Sequence, residues 1–350
     1  MKKIRINVSE SYDILIENNI LLNAKKYLSE VYSKNRLFII SDYRVASLYL
    51  DKLHQGLADY SYFDVVIEGY EKAKSIKSYE EVVKKLLALG IRRGDMLIAL
   101  GGGVIGDLTG FIAGTLFRGL DFIQIPTSIL SQNDSSIGGK TAINIEEGKN
   151  LIGVFKQPKL VLIDPLTIET LPQKEISSGM GEVIKHGLIG DRKLVEMLME
   201  KAPYEEILYR SILVKKMVVE EDEFDTGKRM ILNFGHTFGH AIEKEGNYSL
   251  YTHGEAVGLG MLMALRLGEY YGFTNKNLYP LVKKIMASYQ MDTKDYSIKE
   301  YLPKIIYDKK NISGVIHFII LDDIEKTRVF DISESDLIKM AGDFNENISK

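Results

Sequence analysis

A chain of 350 residues with 45% hydrophobic and 27% charged residues has the makeup of an ordinary globular protein, with room for two domains. A formal net charge of -3 supplies no global field for nucleic acid or an anionic membrane, so an anionic ligand must be held by a local cluster of Lys and Arg. The absence of cysteine excludes disulfides and thiolate ligands, which leaves carboxylates and six His for any transition metal.

Met1-Lys2-Lys3-Ile4-Arg5 runs into an alternating, strand-like pattern without an apolar signal region. No apolar run approaches the roughly 20 residues that span a bilayer. A soluble, cytoplasmic protein is expected. Short apolar runs follow at Arg36 to Ser41, Phe63 to Glu68, Met96 to Leu100, Phe122 to Ile125 and Leu160 to Ile163, and read as buried parallel strands. Amphipathic stretches lie between them, such as Ser78 to Leu89 with Gly90 as its C-cap. Beyond Asp164-Pro165 the period changes. Lys174 to Ile189, Glu205 to Glu221, Gly254 to Tyr271 and Leu278 to Tyr289 have helical spacing, and strand character returns only at Ile316 to Leu321. The expected architecture is a nucleotide-binding α/β domain over 1–165, a mostly α-helical domain over 166–350, and an active site in the cleft between them.

Three groups of residues carry chemistry. Gly101-Gly102-Gly103-Val104-Ile105-Gly106-Asp107-Leu108 follows a strand and opens a helix, a place where free backbone N–H groups and the helix dipole meet a phosphate. Its spacing is not G-x-G-x-x-G, so an ordinary Rossmann dehydrogenase is not supported. Four of the six His, at 186, 236, 240 and 253, fall in one stretch. His236 and His240 stand at i and i+4 on one helical face, His253 opens the next helix, and Glu182, Lys185 and His186 share another face. A catalytic zinc needs three such ligands and an open position, and spacing alone leaves open which residues they are. Finally, Arg118, Lys140, Lys149, Lys185, Lys215, Arg229 and the pair Lys309-Lys310 stand near Gly, Asn or Asp rather than on regular solvated faces. The loop Ser135-Ser136-Ile137-Gly138-Gly139-Lys140-Thr141 suits an oxyanion.

These motifs resemble those of the 3-dehydroquinate synthases. The glycine-rich turn through Phe111, Ile123-Gln124-Ile125-Pro126-Thr127-Ser128, Asp134 to Thr141, Gly148-Lys149-Asn150, Gly181-Glu182-Val183-Ile184-Lys185, Leu232 to Glu243 and His253-Gly254-Glu255 occur in the family's order. The resemblance runs from about Asp42 to Lys310. It implies a Rossmann-like NAD-binding domain followed by a metal- and substrate-binding helical domain, in a homodimer. The implied reaction converts 3-deoxy-D-arabino-heptulosonate 7-phosphate to 3-dehydroquinate and phosphate, by transient NAD oxidation, β-elimination of phosphate, re-reduction and intramolecular aldol closure.

The same resemblance assigns residues. Glu182, His236 and His253 match the zinc ligands (cobalt being the alternative metal), and His240 an active-site residue that is not a ligand. Asp134, Lys140, Lys149, Asn150, Lys185, Lys215, Arg229 and Asn233 match substrate-contacting positions. Lys309, or its neighbour Lys310, matches a late phosphate-contacting lysine, and Arg118 an arginine that reaches the partner subunit's phosphate site. For NAD the matching positions are Asp42, Glu71, Lys74, Gly101, Gly102, Gly103, Val104, Asp107, Thr127 and Ser128, with Lys140 and Lys149 at the same site. The chain departs from the pattern at Gly69-Tyr70-Glu71-Lys72-Ala73-Lys74, where Tyr70 stands between Gly and Glu. It also carries Ser128, Asn133, His317 and Glu325 where Thr, Val, Arg and Gly are usual. Rival readings of the same motifs are a cyclase making an inosose or valiolone, a metal-dependent alcohol or glycerol dehydrogenase, and a non-catalytic NAD- or sugar-binding regulator.

Overall fold

A computed structural model describes residues 1–247, 249–301, 305, 315–333 and 335–336. The chain forms two compact units. Met1–Leu171 group with Lys215–Phe224, and Pro172–Val214 group with the described residues from Asp225 onward.

The first unit is α/β. In chain order it contains β1 (Lys2–Ile6), β2 (Tyr12–Ile16), α1 (Ala24–Leu28), β3 (Arg36–Asp42), α2 (Tyr43–Gly56), β4 (Ser61–Ile67), α3 (Ile76–Ala88), β5 (Met96–Gly101), α4 (Gly103–Thr115), β6 (Asp121–Pro126), β7 (Lys140–Ile145), β8 (Gly148–Phe155) and β9 (Leu160–Ile163). Seven strands make one sheet in the order β1-β2-β9-β6-β5-β3-β4, parallel throughout except for the β1–β2 pair at the edge. The strands read as continuous apolar runs because both faces are covered. Leu37, Ile39, Met96, Ile98 and Leu100 enter one core with Leu21, Leu28 and Leu53, while Phe38, Ile40, Leu97 and Ala99 enter the other with Val82, Leu86 and Leu108. Gly90 ends α3 with φ 76°, the left-handed turn expected of it.

β7 and β8 form a separate antiparallel hairpin, where the sequence reading places a loop up to Thr141. Their signal is weak because β8 is almost wholly exposed and lacks the alternation of a half-buried strand.

The second unit is mostly helical: α5 (Gln173–Gly190), α6 (Arg192–Glu200), α7 (Tyr204–Glu221), α8 (His236–Glu245), α9 (His253–Tyr270) and α10 (Leu278–Ser288), with a hairpin of β10 (Val315–Asp323) and β11 (Lys326–Ser333). The last turns of α7, from Lys215, group with the first unit, so this helix is shared. Backbone contact between helices sets the geometry. A Cβ on Gly254 of α9 would lie 1.7 Å from the Ser178 carbonyl oxygen of α5, and one on Gly260 would lie 2.0 Å from that of Gly235 ahead of α8. Only glycine lets these three helices approach so closely. Among the described residues, no helix is long and apolar enough to cross a membrane.

Candidate active site

In the first unit the expected cofactor residues gather at the carboxyl ends of the parallel strands, where open α/β sheets bind ligands. Asp42 ends β3 and caps α2, accepting the backbone N–H of Arg44 and of Val45 at 3.0 Å each. Gly101 ends β5, Gly102 caps α4, and Gly103 and Val104 form its first turn. The tight β5–α4 turn depends on Gly101, where a Cβ would come within 2.8 Å of Ile105. Thr127 donates its backbone N–H to the Gly101 carbonyl at 3.0 Å, and the Ser128 hydroxyl bonds that of Ser131 at 2.9 Å.

Lys74 is buried, and its Nζ lies 2.5 Å from both Asp107 Oδ2 and Asn150 Oδ1. Burial pushes the Asp107 carboxyl up to about 6, and Lys74 offsets only part of that rise. Tyr70, the residue between Gly69 and Glu71, stands at φ 71° with its ring in solvent, and Glu71 begins a short helical turn behind it. Thus the extra residue is accommodated by an outward bulge. On the same unit Lys215, buried in the last turns of α7, pairs with Asp134 at 2.5 Å. Asp134 lies in a one-turn π-helix, Ser131–Ser135. Lys140, Lys149 and Asn150 on the hairpin are exposed, as is Arg118, which has φ 66°.

The second unit assembles the histidines. His236 is the first residue of α8 and His253 the first of α9; the start of α9 abuts α5, which carries Glu182, and the start of α8 abuts α9. The Glu255 carboxylate accepts the Thr252 N–H at 2.9 Å and so fixes the start of α9. Glu182 Oε1 is buried and accepts no hydrogen bond, yet His236 Nε2 and His253 Nε2 lie 3.6 and 3.8 Å from it. Ligand atoms about 2.1 Å from one tetrahedral ion stand roughly 3.4 Å apart, so this orphaned oxygen and two nitrogens fit a shared divalent cation. The opposite nitrogens are anchored, His236 Nδ1 at 3.3 Å from the Phe234 carbonyl and His253 Nδ1 at 3.3 Å from Glu243 Oε2.

Electrostatics favour ligation. Burial holds the His236 imidazole well below its ordinary value, reinforced by the Lys185 ammonium and the neighbouring imidazoles, so it is neutral at pH 7. For His253 burial acts downward as well, but the Glu243 hydrogen bond and the Glu182 and Glu243 charges outweigh it and raise the imidazole. A cation at the cluster would take over the role of that proton.

Lys185 is buried against the other Glu182 oxygen, Oε2. His240 is exposed, its ring 5.5 Å from His236 and 6.1 Å from His253 by centroids. Arg229 is buried in the helical turn Lys228–Asn233, and Asn233 is exposed. His186 is buried, and its Nδ1 is hydrogen-bonded to the buried Ser211 hydroxyl at 2.8 Å. Lys309 and Lys310 lie outside the described residues. Sequence reasoning gave no role to Glu243, although its place three residues after His240 puts it on the histidine face of α8.

A parallel α/β unit with a glycine-rich β–α turn, followed by a helical unit with a Glu/His/His cluster able to hold a metal ion, is the architecture of the sugar-phosphate cyclases. Solved members share it. The structure of 2-deoxy-scyllo-inosose synthase complexed with carbaglucose-6-phosphate, NAD+ and Co2+ is 22% identical with TM-score 0.86, over 97% of this chain and 99% of that one. The 2-epi-5-epi-valiolone synthase of Streptomyces hygroscopicus subsp. jinggangensis, with NAD+ and Zn2+ bound, is 26% identical with TM-score 0.84, over 96% of each. The family models "3-dehydroquinate synthase N-terminal" and "3-dehydroquinate synthase C-terminal" match residues 64–178 and 179–311. The 3-dehydroquinate synthase of Clostridium botulinum (strain Alaska E43 / Type E3) is 41% identical over 336 residues, 93% of this chain and 96% of the relative. The chain belongs to the 3-dehydroquinate synthase family. It is an enzyme, which removes the regulator from the rival readings.

Proposed function

We propose that the chain is a phosphate-eliminating carbon–oxygen lyase that converts 3-deoxy-D-arabino-heptulosonate 7-phosphate to 3-dehydroquinate, using NAD and one zinc ion per chain, with cobalt able to replace zinc. The observation that carries this reading is the buried, unbonded Glu182 Oε1 facing two imidazole nitrogens, in a chain 41% identical to a 3-dehydroquinate synthase. Glu182, His236 and His253 hold the metal, while Asp42, Glu71, Lys74, Gly101 to Val104, Asp107, Thr127, Ser128, Lys140 and Lys149 hold NAD. When bound, zinc supplies Lewis acidity to substrate oxygens and NAD supplies reversible acceptance of a hydride.

The chain's own residues do the rest. Lys185 is an ammonium donor beside the metal carboxylate, suited to keep a substrate oxygen oriented and to exchange its proton. His240, exposed at the edge of the histidine cluster, connects that proton to solvent. Lys140, Arg118 and Arg229 neutralise phosphate and carboxylate, with Lys309 or Lys310 as a further contact. Asp134, paired with Lys215, joins Asn150 and Asn233 in accepting and donating to substrate hydroxyls. We assign NAD binding to 1–165 and metal and most substrate contacts to 166–350, with the chain working in the cytoplasm as a homodimer. Exposed Leu151, Ile152 and Phe155 on β8 support the dimer, because such an apolar strand is otherwise left to water.

The test is phosphate release from the heptulosonate phosphate with catalytic NAD, with absorbance followed for NADH. Phosphate release without NADH accumulation, abolished by a chelator and restored by zinc, is expected. Net NADH without phosphate would instead identify a dehydrogenase, and absence of both signals would point to a cyclase of another substrate.

A further inference from the structure

β7 does not run straight. Its register with β8 shifts between Ile143 and Ile145, and the residue at the irregularity is Asn144. The Asn144 backbone N–H donates to the Lys74 carbonyl at 2.8 Å, and Asn144 forms a lone parallel bridge with Ser75. Its side-chain oxygen accepts the Asn150 N–H at 2.8 Å, and its Nδ2 donates to Glu71 Oε1 at 2.7 Å. One half-buried residue therefore ties together the Glu71–Lys74 turn and the start of β8, which carries Lys149 and Asn150.

The ties close a ring. Lys74 returns from its side chain to Asn150 Oδ1, while the same Nζ pairs with Asp107. Asn150 sits at φ 56°, a left-handed conformation that needs local hydrogen bonds to hold it. Its N–H to Asn144 is such a bond. An uncharged amide meets both side-chain demands at once, accepting from a backbone N–H and donating to a carboxylate. Aspartate of the same shape keeps the acceptor, loses the donor and places like charge against Glu71.

We propose that Asn144 is a positioning residue for NAD binding, locking the Glu71–Lys74 turn to the start of β8 at Asn150 so that Lys74 and Glu71 are held in one place before the cofactor arrives. This rests on the NAD reading proposed above. Preorganisation of this kind changes ligand affinity, whereas a hairpin clasp of merely structural value changes only stability.

The test measures the NAD dissociation constant of the full chain by calorimetry for the unaltered protein, Asn144→Asp, Glu71→Gln and the double variant, with the thermal midpoint of each recorded without NAD. Asn144→Asp is expected to weaken NAD about tenfold, the loss of one charge-assisted hydrogen bond plus a repulsion. In the Glu71→Gln background a Gln amide can donate to the new carboxylate, so the same substitution should cost about threefold or less. An unchanged NAD affinity in Asn144→Asp, or an equal loss in both backgrounds, would overturn the proposal while leaving the NAD reading intact. Failure of the unaltered chain to bind NAD would remove both.

Discussion

Gly254→Ala is the most informative single perturbation of the proposed metal centre, because it touches none of the proposed ligands. The added Cβ would lie 1.7 Å from the Ser178 carbonyl oxygen and 2.6 Å from its carbon. Real Cβ atoms essentially never come nearer than 3.0 Å, so α5 and α9 must part by about 1.3 Å there. Neither partner can rotate away, since both are helical backbone. Overpacking of this kind costs about 1–3 kcal/mol. His253 is the residue directly before Gly254 and Glu182 is four residues after Ser178, so the parting falls on the proposed ligand pair, whose atoms lie 3.8 Å apart. Metal sites tolerate errors of only about 0.2 Å in ligand distance, so the displacement should weaken zinc by at least the 10–100-fold seen when ligand support is lost. The assay is zinc content after dialysis against a weak chelator, together with the thermal midpoint with and without added zinc. The expected result is a folded, zinc-poor protein whose midpoint no longer rises with zinc. A variant that retains one tightly held zinc per chain and an unchanged midpoint would refute the claim that glycine-mediated helix contact sets the ligand geometry.

Two further substitutions probe separate parts of the site. His236→Ala should lose zinc and turnover while circular dichroism still reports the folded α/β unit; retained turnover would defeat its assignment as a ligand. Asp107→Asn tests the buried Lys74 pair. The Asp107 carboxyl is raised from 3.8 to about 6, so its contribution favours the folded state most below pH 4 and declines as pH rises to 6. Relative to the Asn variant, the unaltered protein should therefore lose about 1–3 kcal/mol of stability between pH 4 and 6, the upper figure discounted because its side chain is 18% exposed. Denaturant melts across that window check it, and a difference that is flat with pH would show that Lys74 fully compensates burial.

The strands at Arg36, Met96, Phe122 and Leu160 were legible because parallel strands buried on both faces leave unbroken apolar runs. The helices of the second unit were legible from their period, and the glycine-rich turn from its place after β5. The β7–β8 hairpin was not, since it buries too little to leave an alternating signature. Asn144 escaped for a related reason. Its partners stand 6, 70 and 73 residues away along the chain, and no periodicity encodes hydrogen bonds over such separations.

Composition, period and motif order thus settled by themselves the α/β and helical makeup, the exclusion of thiolate chemistry and the family resemblance. These are properties of local residue pattern, repeated along the chain. Tertiary structure alone decided which groups converge. His236 and His240 share a helix face, but His236 stands with His253 and Glu182 because glycines bring α8, α9 and α5 into backbone contact. Likewise the Glu243 carboxylate behind His253 and the Lys215–Asp134 pair join residues 10 and 81 positions apart. Such contacts depend on where helices cross, and a linear pattern carries no record of crossing distance.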